Sequence, residues 1–282
     1  MTDFSGRRAE FRKLHESGCF VIPNPWDIGT ARYLRSFGFK ALATTSSGFS
    51  FSRALPDTDW AVPLEDALAH IAEIVGATEL PVNADFESGY AHDPEGVARN
   101  VARCVETGVA GLSIEDSTGD AAKPLYDLSH AVERIAAARA AIDASGADVL
   151  LTARAECYLV GHEDPLNESI RRLQAYAEAG ADVLFAPGPR KRADIRAVVE
   201  AVAPKPFNLI MSSNNGMTVE DIAALGVRRI SVGSALARAA WTGFLRAAHQ
   251  IAAEGRFGGF DGTVAFGDLN AFFRQDLKER SG

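Results

Sequence analysis

The sequence predicts an α/β protein built as a single (β/α)8 barrel of TIM type, with an extra helix behind it. Three observations predict it. Eight short apolar runs have strand character, helix-like periodicity fills the intervals, and 282 residues suit one barrel of about 250 residues plus a tail. With 47% hydrophobic and 23% charged residues the chain can bury a true core, which excludes wholesale disorder.

Taken in order, the strands are CFVIPN from residue 19, KALATTS from 40, LPVNAD from 80, AGLSIED from 110, DVLLTAR from 148, DVLFAP from 182, FNLIMS from 207 and RRISVGS from 228. Residues 93–107, 130–144, 165–180 and 218–225 carry apolar side chains three and four apart, and Asp93-Pro94 and Thr218-Val219-Glu220-Asp221 read as capping signals. Gly38, Gly108, Gly180 and Gly226 fall where helices end and feed the next strand. Strands apolar on both faces pair in parallel, and eight alternations close naturally into a barrel. A doubly wound open sheet is the competing architecture. No G-x-G-x-x-G follows the first strand, and GRFGGFDG lies past the eighth. The barrel is assigned residues 1–254 and a helical extension residues 255–282, where Leu269, Phe272, Phe273 and Leu277 fall at helical spacing. That helix either covers the barrel floor or packs on a neighbouring subunit.

Composition excludes several function classes. A net charge of -8 repels a phosphate backbone, and the only short basic cluster is Arg190-Lys191-Arg192, so no nucleic acid partner is expected. Cys19, Cys104 and Cys157 are odd in number and far apart, which supports neither a disulfide scaffold nor a cysteine zinc site and suits a reducing cytoplasm. The first eighteen residues are charged throughout, and the alanine-rich stretch 234–254 carries Arg238, Arg246 and His249, so neither an export signal nor a membrane span is expected.

In such barrels chemistry sits where strands end at their C-terminal side. Asn24, Asp27, Ser46, Ser47, Asp85, Glu87, Glu115, Asp116, Arg154, Glu156 and Asn208 therefore form one expected rim. Four acids, Asp57, Asp85, Glu87 and Glu115, form a carboxylate group without histidine or cysteine company, which suits Mg²⁺, or Mn²⁺, better than zinc. Any one of them alone reads as a helix cap or a solvated loop acid. Arg154, ending an apolar strand, either forms structural ion pairs or grips an anionic substrate bidentately. Thr44 to Gly48 offers hydroxyls and consecutive N–H groups that can cradle a carboxylate or enolate oxygen, or is a plain small-residue strand end. The six histidines show no H-x-x-x-H spacing and read as surface residues. No G-x-S-x-G elbow or Walker A loop occurs, and Lys40, Lys123 and Lys205 are poorly placed for a Schiff base.

NADFESGYA after strand three, GVAGLSIEDS at strand four, LLTAR at strand five, TTSSG before LPD, and GVRRISVGSAL at strand eight resemble the isocitrate lyase and phosphoenolpyruvate mutase superfamily. The resemblance spans about residues 15 to 245 in the right order. It implies a barrel whose terminal helix is exchanged between subunits of a homodimer or homotetramer. It implies Mg²⁺ held, mostly through water, by Asp85 and Glu115, with further acids at Asp57 and Glu87. Ser46, Ser47, Gly48, Phe49, Arg154 and Asn208 become substrate-binding candidates, and Arg154, Asp57 and Glu87 catalytic ones. The chemistry implied is cleavage or formation of a C–C or P–C bond beside a carboxylate, through a metal-stabilised enolate.

Departures decide the subgroup. Where isocitrate and methylisocitrate lyases carry KKCGH, this chain reads DSTGDAAKPLYDLSH, with no cysteine between Cys104 and Cys157, which disfavours that lyase reaction. Ser117 follows Glu115-Asp116 where phosphonopyruvate enzymes have an EDK-type sequence, and the common D-x-D is Asn83-Ala84-Asp85. The expectation is a Mg²⁺-dependent carbon–carbon lyase or decarboxylase acting on a small 2-oxo or 2-hydroxy dicarboxylate such as oxaloacetate or a substituted malate. The rivals are a phosphonopyruvate hydrolase or mutase and a non-catalytic 2-oxo acid binding protein. Glu87, Glu156 and Tyr126 are candidate bases, and residues 117–129 a candidate lid.

Overall fold

In a computed structural model, which describes residues 3–58 and 60–281, eight strands alternate with helices along the chain. The strands are β1 (Phe20–Ile22), β2 (Leu42–Ala43), β3 (Val82–Asp85), β4 (Gly111–Glu115), β5 (Leu150–Arg154), β6 (Val183–Phe185), β7 (Phe207–Ile210) and β8 (Arg229–Ser231). The helices are α1 (Ser5–Glu16), α2 (Ile28–Ser36), α3 (Ser46–Ser52), α4 (Leu64–Ala77), α5 (Pro94–Glu106), α6 (Leu128–Ala144), α7 (Pro165–Glu178), α8 (Arg192–Val202), α9 (Val219–Ala223), α10 (Ala235–Glu254) and α11 (Phe266–Ser281).

The sheet order is β1-β8-β7-β6-β5-β4-β3-β2, every paired neighbour parallel. The pairing of β1 with β8 rules out the open doubly wound sheet. Between β1 and β2 the ring is joined by Ala43 N–H donating to the Pro23 carbonyl at 3.0 Å, and by Asn24. The Asn24 amide donates to the Thr44 carbonyl at 2.8 Å, while its Oδ1 accepts from Val232 N and Gly233 N at 3.0 and 2.9 Å. One polar side chain thus ties three strand ends together, which explains why it is buried.

The local signals act where the sequence puts them. Asp93 caps α5 through the Gly96 N–H, with Pro94 at the first helical position, and Thr218 and Asp221 form a reciprocal capping box on α9. Gly108 ends α5 at φ +91°, and a Cβ there would meet the Phe4 ring at 2.4 Å, so both backbone and space demand glycine.

Two elements escaped the periodicity reading. The charged N-terminus folds as α1, which turns Phe11 and His15, four residues apart, into the barrel. Phe11 is fully buried among Ile22, Ala41, Ala43, Ala110, Leu150 and Val183 at the start of the strands, and a Cβ on Gly111 would meet its ring at 2.6 Å. At the start of the strands, one of the two places considered for the C-terminal helix, it is α1 that packs. The TTSSG segment, read as a strand end, instead starts α3, because Thr45 Oγ1 accepts from Gly48 N–H and caps it.

The chain parts into two compact units, the second starting at Leu236 and holding most of α10, a 3-10 turn and α11. This second unit exposes Phe244, Leu245, Phe257, Phe260, Phe266 and Leu277. No helix among the described residues is long and apolar enough to cross a membrane.

Candidate active site

Parallel register brings the last residues of three consecutive strands to one mouth of the barrel: Glu115 pairs with Arg154, and Asp85 with Ser113. Arg154 lies at the centre. Its Nη1 is 3.1 Å from Glu115 Oε2 and 3.7 Å from Asp85 Oδ1, its Nε donates to Glu156 Oε1, and its guanidinium lies 5.2 Å from the Phe185 ring centroid. Burial opposes the arginine's charge, but Glu115, Glu156 and Asp85 outweigh it and raise its pKa further. Burial also pushes the carboxyl groups of Glu115 and Glu156 above the usual range, Arg154 offsetting only part of this. The mouth is thus rich in acid beyond what one guanidinium neutralises.

Asp85 is held from α3. Its Oδ2 accepts from both the N–H and the hydroxyl of Ser46, at 2.9 and 3.0 Å, while its own N–H donates to Thr44 Oγ1 at 2.9 Å. The remaining oxygen, Oδ1, faces Arg154. Asp57 touches the group through Ser46, whose Oγ is 3.5 Å from its Oδ1. Within the predicted N–H cradle, Thr44 is committed to the Asn83 carbonyl, Ser46 to Asp85, Gly48 to the Thr45 side chain and Phe49 to the Thr45 carbonyl. The Phe49 ring stacks on His70 at 3.7 Å and lines a small pocket beside Ser46, Asp85 and Glu87.

Glu87 is brought beside this group but locked: Oε2 accepts from Trp60 N–H and Oε1 from the Tyr90 hydroxyl, both at 2.9 Å. Burial raises its pKa to about 7, against those two hydrogen bonds and with help from Asp85 and Asp57. Its φ of +45° and that of Tyr90, +54°, lie in the left-handed region that non-glycine residues rarely adopt, a strain that accumulates at functional turns.

A cavity of about 50 Å³ runs down from Asp85 and Arg154 between Thr44, Ser113, Asn208 and Ser231 to Arg229. Asn208 lines it, but its amide is engaged: Nδ2 donates to Ser231 Oγ at 3.0 Å and Oδ1 accepts from Arg229 Nε at 2.8 Å.

Several expected rim residues lie elsewhere. Asp27 caps α2, accepting from Thr30 N–H at 2.7 Å. Asp116 is buried behind the rim, where Oδ2 meets Arg172 Nη1 at 3.0 Å and the Tyr176 hydroxyl, and Oδ1 accepts from Glu156 N–H at 2.8 Å. It therefore holds the main chain that carries Glu156. Tyr126 hydrogen-bonds His92 Nδ1 at 2.6 Å and lies under the Arg134 guanidinium. Residues 117–125 form a small hairpin closed by a Ser117–Leu125 bridge. Two histidines are not surface residues: His15 packs edge-on to Phe11, and His70 stacks on Phe49. Sequence reasoning missed Arg229 and Arg172. The inward alternation of Arg229 with Ser231 in β8 was the available signal for the first; nothing local signals the second.

Asp85 Oδ1 and Glu115 are oxygen donors of the kind a hard cation takes, and both face the Arg154 guanidinium. Among the described residues no three His, Cys, Asp or Glu side chains stand together as a ready set of direct ligands, so a fit demands water between carboxylates and ion, the habit of Mg²⁺.

Residues 11–252 match the family model described as phosphoenolpyruvate phosphomutase. A solved Burkholderia cenocepacia J2315 structure, provisionally described as a lyase/mutase, is 46% identical with a TM-score of 0.91 over 96% of both chains. Oxaloacetate acetylhydrolase, solved with its product oxalate, is 31% identical over 99% of this chain and 97% of that one, with a TM-score of 0.84. The oxaloacetate decarboxylase of Pseudomonas putida strain GB-1 is 30% identical over 234 residues, 81% of this chain and 78% of that protein.

Proposed function

The chain belongs to the phosphoenolpyruvate phosphomutase family, and from that premise we propose that it is a Mg²⁺-dependent carbon–carbon lyase or decarboxylase acting on a small 2-oxo or 2-hydroxy dicarboxylate. The observation that carries the reading is Arg154 set among Asp85, Glu115 and Glu156 at one mouth of the barrel. The sequence likeness to two oxaloacetate enzymes supports the substrate class.

Asp85 and Glu115 would hold the cation through water, with Asp57 and Glu87 behind them; Mn²⁺ would serve in the same place. When bound, the ion supplies Lewis-acid charge to the carboxylate and keto oxygens of the substrate. The rest is the work of side chains. Ser46 fixes the Asp85 carboxylate through Oδ2, with Oδ1 toward Arg154. Arg154 presents a permanent positive charge to a substrate oxygen in a site shielded from water, where such a charge counts for most. The Ser47 N–H would donate to a substrate carboxylate oxygen. Glu87, whose pKa burial raises, is held in place by the Trp60 N–H and the Tyr90 hydroxyl. The hairpin after Asp116 takes the place of a cysteine-bearing loop, which is why cleavage of isocitrate is not proposed. We also propose a homodimer or homotetramer, which the exposed apolar side chains of the second unit support.

The test is pyruvate release from a panel of 2-oxo and 2-hydroxy diacids, with and without EDTA, for wild type and Asp85→Asn. We expect metal-dependent release from at least one four- or five-carbon diacid, abolished in Asp85→Asn while thermal unfolding is little changed. Release of inorganic phosphate from phosphonopyruvate with no diacid turned over would replace this reading with P–C chemistry. Wild-type rates in Asp85→Asn would remove that residue from the mechanism.

A further inference from the structure

Arg229 is a buried charge with no acidic partner among the described residues. It sits in β8 with 3% of its surface exposed, on the inward side it shares with Ser231. Every partner is neutral: Asn208 Oδ1 at 2.8 Å from Nε, Thr152 Oγ1 at 3.2 Å from Nη2, and Asn83 Oδ1 and His15 Nε2 each 3.5 Å from Nη1. His15 adds no negative charge, since burial and the arginine itself push its pKa down to about 3. Other buried arginines have different partners, and Arg134 keeps an unpartnered Nε. Arg172 meets Asp116 and Glu168, and Arg134 caps the carbonyls of Glu115, Ser88 and Ala91. Arg229 differs from both in facing the cavity.

A guanidinium has five N–H donors, and four contacts, two of them at the limit of hydrogen-bond length, leave its fork unfilled. Burying an ion without a counter-ion is costly, and a fold retains such a group where a ligand brings the missing charge. Burial alone lowers the pKa of Arg229 to about 9, with no acid acting in the other direction. The cavity above it is walled by Ile22, Ala43, Phe185 and Ile210. Its roughly 50 Å³ exceeds what a single water needs, about 10–15 Å³, and suits one carboxylate on a short stem. The upper end of the same void is Asp85 and Arg154, so a diacid seated there has its far end beside Arg229.

We propose that the base of this cavity is a carboxylate subsite, in which Arg229, oriented by Asn208 and Thr152, takes the terminal carboxylate of the substrate. The proposal rests on the lyase reading for its substrate class and makes a dicarboxylate, rather than a monocarboxylate, the required ligand.

The experiment compares malate with lactate, 2-hydroxy acids with the same head that differ by the terminal carboxylate. Their binding with Mg²⁺ is measured by calorimetry on wild type, Arg229→Gln and Arg229→Lys. Wild type should prefer malate by about 10- to 100-fold, as a charge-assisted pair predicts. Arg229→Gln should erase the preference while lactate affinity holds, and Arg229→Lys should restore part of it. Because Arg229→Gln removes an uncompensated charge, its unliganded melting temperature should stay level or rise. No preference in wild type, or a preference that survives Arg229→Gln, overturns the subsite. So does a joint loss of both affinities with a fall in melting temperature, which marks the arginine as structural. If chloride alone raises the melting temperature of wild type but not of Arg229→Gln, and malate and lactate bind equally, the occupant is a free anion and the proposal falls. Malate selectivity without pyruvate release from any diacid keeps the subsite and discards the lyase reading; turnover with no effect of Arg229→Gln on selectivity does the reverse.

Discussion

Ser46 donates its main-chain N–H and its hydroxyl to the same oxygen, Oδ2, of Asp85. This double contact joins the start of α3 to the end of β3 and orients the opposite carboxylate oxygen toward Arg154. An acid offered to a cation is useful only if its geometry is preset, and residues that orient a ligand are nearly as important as the ligand itself.

Ser46→Ala keeps the N–H contact and loses the hydroxyl. Apparent Mg²⁺ affinity, read from the metal dependence of turnover, should fall about 10-fold or more. Stability should drop by about 1 kcal/mol at most, as for one lost hydrogen bond. An unchanged metal dependence would show that the main-chain contact alone positions Asp85.

Arg154→Lys retains charge but not the fork that reaches Glu115 and Glu156 together. Substrate binding should weaken by about 10-fold or more, seen chiefly in KM. Unaltered KM and kcat would confine Arg154 to structural ion pairing.

Asp116→Ala removes the partner of Arg172 and the acceptor of Glu156 N–H. A buried charge left with only Glu168 should cost about 3 kcal/mol in urea unfolding, and activity should fall because the chain bearing Glu156 is freed. A midpoint within error of wild type would mean that Arg172 finds other compensation.

His70 gives a pH prediction. Burial lowers its folded pKa from 6.5 to about 4, so it stays neutral in the fold while an unfolded chain takes up a proton near pH 6.5. Its contribution is fully present above pH 6.5 and is lost progressively as pH falls toward 4, about 2 kcal/mol by pH 5. His15, lowered to about 3 first by its own burial and then by Arg229, acts with the same sign. His70→Phe keeps the stack on Phe49 and removes the titration, so its unfolding free energy should decline less than that of wild type between pH 7 and 5. Parallel curves for the two proteins would show that His70 is not buried in solution.

Strand and helix signals along this chain are local and were readable one segment at a time. The apolar runs ending at Asp85, Glu115 and Arg154 became β3, β4 and β5, and the capping residues Asp93 and Thr218 capped. The same local logic failed at α1, whose charged residues hide the pair Phe11 and His15, and at α3, where Thr45 caps a helix shorter than periodicity can register.

The alternation of apolar runs and capped helices, together with the acids and the arginine that end those runs, was determined by sequence alone, since each depends on near neighbours and on the two-residue period of a strand. Only closure of the barrel decided which acids share a mouth, that Asp27 and Asp116 do not, that Glu87 is fastened by Trp60 and Tyr90, and that Arg229 lies uncompensated beneath Asn208. The physical reason is that burial and counter-charge are properties of side chains brought together from distant positions. The cost of an ion is set by what surrounds it in space, which no stretch of sequence specifies by itself.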